Sequence, residues 1–587
     1  MCGIVGYKGK NENAITTVIE GLENLEYRGY DSAGIAYIKD NKLIITKETG
    51  RIKNLKSKLE KDIKSNLAIG HTRWATHGHP TKTNAHPHKV GKFTIVHNGI
   101  IENYIPLKEE LIKNNYNFKS DTDTEVACAY LDYIYKQEKD ILKSLNKLTK
   151  ILKGSYAFGI ICEDDQEHLY AIRKSSPLIV AKGKEENYIA SDVPAILKYT
   201  NKYIILDDYD IAKIGNNDII VYNKDLKETE KEINEYEGDY ESSIKGKYEH
   251  FMLKEINEEP ETFKKTINNC IENNFQNIPD LKKYTNIHIV ACGSAYHAGL
   301  IGKFLIEKYA NIPVYIQVAS EYRYEKTFEN ENTLVILVSQ SGETADTLAA
   351  LRKAKEKNID TLSIVNVVSS SIARESKYVI YTKAGCEIAV ATTKAYLAQV
   401  TVFIALTMYL ANINLDKYIE EIPKQIENLI NKNEYKEIAK KIYKQKNIFF
   451  IGRGIDYAMC MEGSLKLKEI SYINSVAYQA GELKHGTISL IEENTPVIAI
   501  STDEELTEKT ISNIKEVKAR GAYTIFLTNE DINADFYDEK IIIPKTNELL
   551  QQLLTIIPLQ LIAYEVAKLN KCDIDKPRNL AKSVTVE

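Results

Sequence analysis

The chain has 587 residues, 43% of them apolar and 27% charged, which is too long for one core and points to three or four domains. A formal net charge of only −5, with no basic block, excludes a nucleic-acid footprint. Eight cysteines without a CxxC or a Cys/His cluster at ligand spacing exclude a disulfide framework and a structural zinc site, and imply a reducing cytoplasm.

The first residues are Met1-Cys2-Gly3-Ile4-Val5-Gly6, without the basic and then apolar regions of a signal peptide. A small second residue lets the initiator methionine be removed, which gives Cys2 a free α-amine. An α-amine titrates near ~7.7–8.0 against ~8.5 for a thiol, so one residue supplies both nucleophile and base. The plainer reading is a small buried cysteine in a first strand.

Short β-like runs follow at 34–38 and 43–47, joined through Asp40-Asn41, then at 93–96, 156–161 and 168–172. Helical patterns at 14–25 and 124–137 lie between them, so residues 1–227 read as an α+β domain. Residues 228–247 turn charged and lose apolar periodicity, as a linker does.

The remainder repeats itself. Asn332–Ser339 aligns with Asn494–Ser501 at an offset of 162 residues, and 286–290 aligns with 447–451 at an offset of 161. Each copy continues as a helix and a further apolar strand, at 361–365 and 523–527. Strands alternating with helices imply two doubly wound parallel-sheet domains, 248–425 and 426–587. Two apolar stretches, 395–413 and 549–569, are interrupted by polar residues such as Gln399, Thr407, Gln551 and Glu565. They read as buried core helices rather than membrane spans.

After the strand at 334–338 comes Ser339-Gln340-Ser341-Gly342-Glu343-Thr344 and then a helix. Hydroxyls at a strand-to-helix turn suit an anion, each bond to a charged group being worth roughly 1.5–3 kcal/mol. Plain helix capping is the alternative. The second copy has Asp503, Glu504 and Glu505 where the first has Ser341, Gly342 and Glu343. Each close carboxylate repels a phosphate by roughly 1–4 kcal/mol. A capping box of Ser501 with Glu504 would also satisfy that helix end internally. The first copy is therefore expected to bind phosphate and the second not.

Glu462, Lys466 and Glu469 stand at i, i+4 and i+7, on one face of a helix. That spacing alone describes a solvated ion-pair ladder, but glycine-rich turns flank the helix. His485, the only histidine after His297, sits in the turn Gly481–Gly486. The end of the chain, with Lys582, reads by default as a frayed tail.

In order and over nearly the whole length, these motifs resemble the family of isomerising glutamine–fructose-6-phosphate aminotransferases. The resemblance implies an N-terminal-nucleophile αββα sandwich followed by two sugar isomerase domains, with glutamine and fructose 6-phosphate as substrates. It also implies no metal or organic cofactor, no membrane and no nucleic acid, a cytoplasmic location and a homodimer formed through the isomerase half.

The same resemblance assigns site residues. Cys2 is the nucleophile, and Asn98 and Gly99 hold the oxyanion by fixed donors. Arg73 grips the glutamine α-carboxylate, Asp123 meets its ammonium, and Trp74 gates an ammonia channel. Thr76 and His77 share that binding segment. Ser339, Gln340, Ser341, Thr344 and Thr392 bind the sugar phosphate. Glu469 moves a proton between C1 and C2, His485 assists ring opening, and Lys466 supports the site electrostatically. Lys582 forms a Schiff base, which requires its pKa to fall from ~10.4 to roughly 7–8. The chain departs from the family pattern at Ser294-Ala295, where Thr-Ser is common, at Thr392, where serine is common, and at Thr487, where proline is usual.

Two other readings fit less of the chain. A phosphoribosyl amidotransferase needs a strand ending in paired acids, and the nearest string, 204–208, precedes the linker. A sugar-phosphate-sensing regulator needs a DNA-binding module, and no helix-turn-helix pattern or basic face is present. A different ketose phosphate as acceptor stays open. The short linker resembles the bacterial form and weakens the case for nucleotide-sugar feedback.

Overall fold

The structure, a computed structural model, describes all residues except 1, 61–62, 75–77, 237–243, 276–277, 279, 369 and 586–587, and only the backbone of 273–274. Two compact units form. The first comprises residues up to Ile244 together with the segment from Ala581; the second runs from Lys245 to Leu580.

In the first unit two antiparallel sheets stack face to face. The larger has eight strands, with Gly3–Gly9 inside it between Glu186–Ala190 and Leu67–Arg73. The smaller has six, with Phe93–Ile101 paired to Gly154–Cys162. Ile4, Ile69 and Ile189 of one sheet meet Val96, Ala157 and Ile161 of the other in a closed apolar layer. Helix Ala14–Asn24 covers the first sheet; helices Asp123–Glu138 and Ile141–Ile151 cover the second. The order of layers is αββα.

Local chemistry explains the elements. Asp40 and Asn41 take φ of 52° and 58°, the left-handed pair that joins Ser32–Lys39 to Lys42–Thr49 as a two-residue hairpin. Thr122 and Asp140 cap the two outer helices by accepting from Glu125 N–H and Lys143 N–H. The charged segment expected to be a linker is partly ordered, since Ile233–Glu235 pairs with Lys202–Ile205 at the edge of the large sheet.

The second unit holds two five-stranded parallel sheets. One runs Val314–Val318, Asn286–Ala291, Thr333–Ser339, Asp360–Val365, Tyr378–Tyr381; the other runs Asn474–Gln479, Asn447–Gly452, Pro496–Ser501, Tyr523–Thr528, Glu539–Ile542. Both therefore have the order 2-1-3-4-5, which opens a ligand crevice beyond the strand ends between positions 1 and 3. Thr333–Ser339 and Pro496–Ser501 are buried along their full length, as strands covered on both faces must be. Helices Lys394–Ala411 and Gln551–Leu569 are long and apolar enough to cross a bilayer, yet 89% and 83% of their apolar windows lie buried in the unit. They are core helices.

Candidate active sites

Strand Gly3–Gly9 brings Cys2 to the edge of the first site. Its backbone is pinned by Gly3 N–H to Thr72 Oγ1 (3.1 Å) and Ile4 N–H to Ser191 Oγ (3.0 Å). The Trp74 N–H donates to Cys2 Sγ at 3.2 Å. Burial pushes the Cys2 thiol above its ordinary value, offset in part by that N–H and by the Arg73 charge. A thiol held protonated in this way needs a base before it can attack.

Asn98 and Gly99 lie on strand Phe93–Ile101 of the facing sheet, paired with Ala157 and Tyr156. The Asn98 Nδ2 donates to the Cys2 carbonyl at 2.8 Å. Behind it, His71 Nε2 meets Asn98 Oδ1 at 3.1 Å and His97 O at 2.8 Å. Both of those oxygens can only accept, so Nε2 carries the proton. Burial holds the His71 pKa down to about 3, which keeps the ring neutral. Gly99 has φ +122°, and a Cβ there would run into the Ser155 carbonyl, so only glycine fits.

Arg73 is buried at the end of strand Leu67–Arg73, and its guanidinium donates to Gly78 O (3.2 Å) and His79 O (3.4 Å). Asp123 opens helix Asp123–Glu138 and accepts from Ile101 N–H at 2.8 Å. Burial lowers the Arg73 pKa, opposed by the nearby Asp123 and Asp31 carboxylates. Trp74 packs edge-on against Tyr30 at 5.9 Å. Thr76 and His77 lie outside the described residues.

In the second unit, Ser339 Oγ meets Thr344 Oγ1 at 2.9 Å and accepts from Gly342 N–H at 3.0 Å; Ser341 Oγ accepts from Glu343 N–H at 3.2 Å. Gly342 takes φ +63°, with Ser370 where a Cβ would stand. The Glu343 carboxylate accepts from Ser371 N–H (2.7 Å), and Gln340 contributes its carbonyl to Asn366 N–H (3.1 Å). Thr392 donates to Glu387 Oε2 at 2.7 Å. The second copy corrects one expectation. Ser501 does not form a capping box with Glu504; it donates to Thr507 Oγ1 at 3.1 Å. A short 3-10 turn, Glu504–Leu506, precedes helix Thr507–Lys518 and moves the cap to Asp503, which accepts from Glu505 N–H at 3.0 Å. Glu504 pairs with Lys545 instead.

Glu462, Lys466 and Glu469 are not a solvated ladder. The first two side chains are each 1% exposed, and Lys466 Nζ lies 2.6 Å from Glu469 Oε2 and 3.5 Å from Glu462 Oε1. Burial opposes both charges, but Lys466 still holds Glu462 below the carboxylate range, and the two carboxylates raise Lys466. Sequence reasoning missed Ser294 and His297, whose side chains both reach Glu462 at 2.8 Å. His485 stands exposed in the turn Leu483–His485, with no side-chain hydrogen bond or ion pair among the described residues. Lys582 is half-buried in the segment from Ala581, which groups with the first unit.

Residues 71–198 match the model of a glutamine amidotransferase domain, and residues 280–409 and 441–569 each match the SIS domain. The chain is 49% identical, over the full length of both, to glutamine–fructose-6-phosphate aminotransferase (isomerising) of Caldanaerobacter subterraneus subsp. tengcongensis. The chain belongs to the isomerising glutamine–fructose-6-phosphate aminotransferase family. The aminotransferase of Clostridium tetani is also 49% identical over both full lengths. The C-terminal domain of the Francisella tularensis glucosamine-fructose-6-phosphate aminotransferase superposes with a TM-score of 0.51 at 37% identity, covering 57% of this chain and 100% of that one. Within this chain the amidotransferase match contains Arg73, Asn98, Gly99 and Asp123. The first SIS match contains the Ser339–Thr344 loop, and the second contains Glu462, Lys466 and Glu469.

Proposed function

We infer that the protein is a two-site enzyme that makes glucosamine 6-phosphate from fructose 6-phosphate with ammonia taken from glutamine. One observation carries the reading: a single chain combines a cysteine clamped by Asn98 with a Glu462–Lys466–Glu469 cluster on helix Ile455–Ser471 of the second repeat and a hydroxyl-rich strand-to-helix loop, Ser339–Thr344, in the first.

At the first site, removal of Met1 leaves Cys2 with an α-amine that takes the thiol proton. The sulfur attacks the glutamine amide carbon, and the resulting oxyanion is held by Asn98 Nδ2 and the Gly99 N–H. Ammonia leaves, and water releases glutamate from the thioester. Arg73 and Asp123 take the α-carboxylate and α-ammonium of glutamine, and Trp74 lines the way out for ammonia.

At the second site, Ser339, Gln340, Ser341, Thr344 and Thr392 receive the sugar phosphate, and His485 assists ring opening. Lys582 forms an imine with the C2 carbonyl, releasing water, and ammonia then displaces the lysine. Glu469 moves a proton from C1 to C2 to give the aldose, with Lys466 fixing its carboxylate. A homodimer and a cytoplasmic location belong to the same reading.

The test is product stoichiometry with glutamine plus fructose 6-phosphate, against glutamine alone. Glutamate and glucosamine 6-phosphate formed one to one, with far less glutamate in the control, supports coupled transfer. Equal glutamate in both, without amino sugar, overturns the acceptor.

A further inference from the structure

Glu462 has a complete set of partners inside a closed site. Its Oε1 accepts from Ser294 Oγ at 2.8 Å and faces Lys466 Nζ at 3.5 Å; its Oε2 accepts from His297 Nδ1 at 2.8 Å. A carboxylate only accepts, so His297 carries its proton on Nδ1. Ser294 and His297 belong to helix Gly293–Ala310 of the first isomerase repeat, whereas Glu462, Lys466 and Glu469 belong to helix Ile455–Ser471 of the second.

The position of that contact matters. Helix Gly293–Ala310 follows strand Asn286–Ala291, which pairs in parallel with Thr333–Ser339 and sets Ala291 beside Val338. Ser294 and the Ser339–Thr344 loop therefore open at the same strand ends, where the strand order of the first repeat reverses. We propose that Ser294 and His297 are positioning residues for the Lys466–Glu469 pair: side chains of the first repeat that hold the acid–base helix of the second against the first repeat's phosphate crevice.

The physical reason is a competition for Lys466. With Ser294 and His297 in place, both Glu462 oxygens are satisfied, and Lys466 is left to its shorter bond with Glu469 (2.6 Å). Without the His297 donor, Oε2 has no partner in a site closed to water. The carboxylate then turns toward Lys466 and draws the ammonium away from Glu469. Glu469, 20% exposed at its side chain, is the member of the cluster that can meet a substrate.

The inference rests on the function proposed above, and the full chain is assayed for conversion of fructose 6-phosphate to glucose 6-phosphate without glutamine. His297→Leu should lower kcat roughly tenfold to a hundredfold, the scale of a small misplacement of a reacting group. KM for the sugar phosphate should stay within about twofold. His297→Gln, which keeps a donor, should restore most of the rate, and Ser294→Ala should act in the same sense more weakly. In a Glu462→Gln background, His297→Leu should add less than about twofold, because the partner it serves is already gone. Glutamine hydrolysis without sugar should keep the parent rate throughout. If His297→Leu does not fold, Ser294→Ala and His297→Gln carry the comparison. A raised KM at unchanged kcat, equal losses for Leu and Gln, or losses that simply add to those of Glu462→Gln would overturn the proposal. A parent chain that does not isomerise fructose 6-phosphate would instead count against the proposed function.

Discussion

His71 donates from Nε2 to Oδ1 of Asn98 over 3.1 Å, and that bond decides which end of the amide faces Cys2. With Oδ1 taken, Nδ2 is the end left to donate toward the cysteine carbonyl, the direction an oxyanion donor needs. Removal of one such donor typically costs about 10²–10³ in kcat. Asn98→Ala should fall in that range for glutamine hydrolysis. His71→Leu should lose roughly tenfold, because the amide stays but is free to turn. Glutamate release checks both, and sugar isomerisation in the same preparations should not change.

The neutrality of His71 also has a pH signature. Burial lowers its pKa from 6.5 to about 3, so between those values the unfolded chain binds the extra proton. The stability this ring contributes is complete above about pH 6.5 and is lost as pH falls toward 3. At about pH 5 the loss is roughly 2 kcal/mol. Denaturant unfolding at about pH 7 and pH 5 should show the decline. In His71→Leu the slope should flatten by up to about 1.4 kcal/mol per pH unit, with the buried His86 and His88 keeping the remainder. An unchanged slope would mean that His71 titrates normally.

The two proposed sites should separate genetically. Cys2→Ala should abolish glutamine-dependent synthesis while fructose and glucose 6-phosphate still interconvert. Lys582→Ala should do the reverse, stopping amino-sugar formation and leaving glutamine hydrolysis measurable. Loss of both activities in either variant, with unfolding curves unchanged, would rule out independent chemistry.

Lys466 is fully buried between two carboxylates, so its loss is first a stability effect. Breaking a buried ion pair typically costs about 3–5 kcal/mol; here Glu462 would keep Ser294 and His297 as donors, but two carboxylates would face each other without the cation between them. Lys466→Met should lower the unfolding free energy by that order. Lys466→Met combined with Glu469→Gln should recover part of it.

The proposed phosphate role of the Ser339–Thr344 loop can be tested against the second repeat. The second repeat has Asp503 at the position of Ser341. Ser341→Asp places a carboxylate where the phosphate is expected and should cost roughly 1–4 kcal/mol of sugar-phosphate binding. KM for fructose 6-phosphate should rise at least about fivefold, with glutamine hydrolysis untouched. Unaltered KM would move the phosphate to another loop.

The sequence by itself determined the α+β character of the first domain and the α/β repeat of the second half, while the αββα layering came from the family resemblance. Alternating strands and helices, one offset running through two copies, and the Asp40-Asn41 turn are local patterns set by backbone sterics and side-chain period, and the structure reproduces them. Cys2 was legible from its position after the initiator methionine, whereas Asn98, Gly99, Arg73 and Asp123 were singled out only by the family resemblance. What it could not decide was burial. At i, i+4 and i+7 a Glu-Lys-Glu face reads the same whether water or protein covers it. Only the packing of helix Ile455–Ser471 in the assembled unit, on helices Gly293–Ala310 and Gln551–Leu569 and on its own sheet, removes the water from Glu462 and Lys466. The partners His71 for Asn98, and Ser294 and His297 for Glu462, are separated from them by 27, 168 and 165 positions. No local period spans such distances. The cap of the second repeat went to Asp503 for a similar reason: a single 3-10 turn changed which carboxylate meets the free N–H. Local propensity chose the elements, and the assembled core chose which of their charged groups lost water and were paired across the chain.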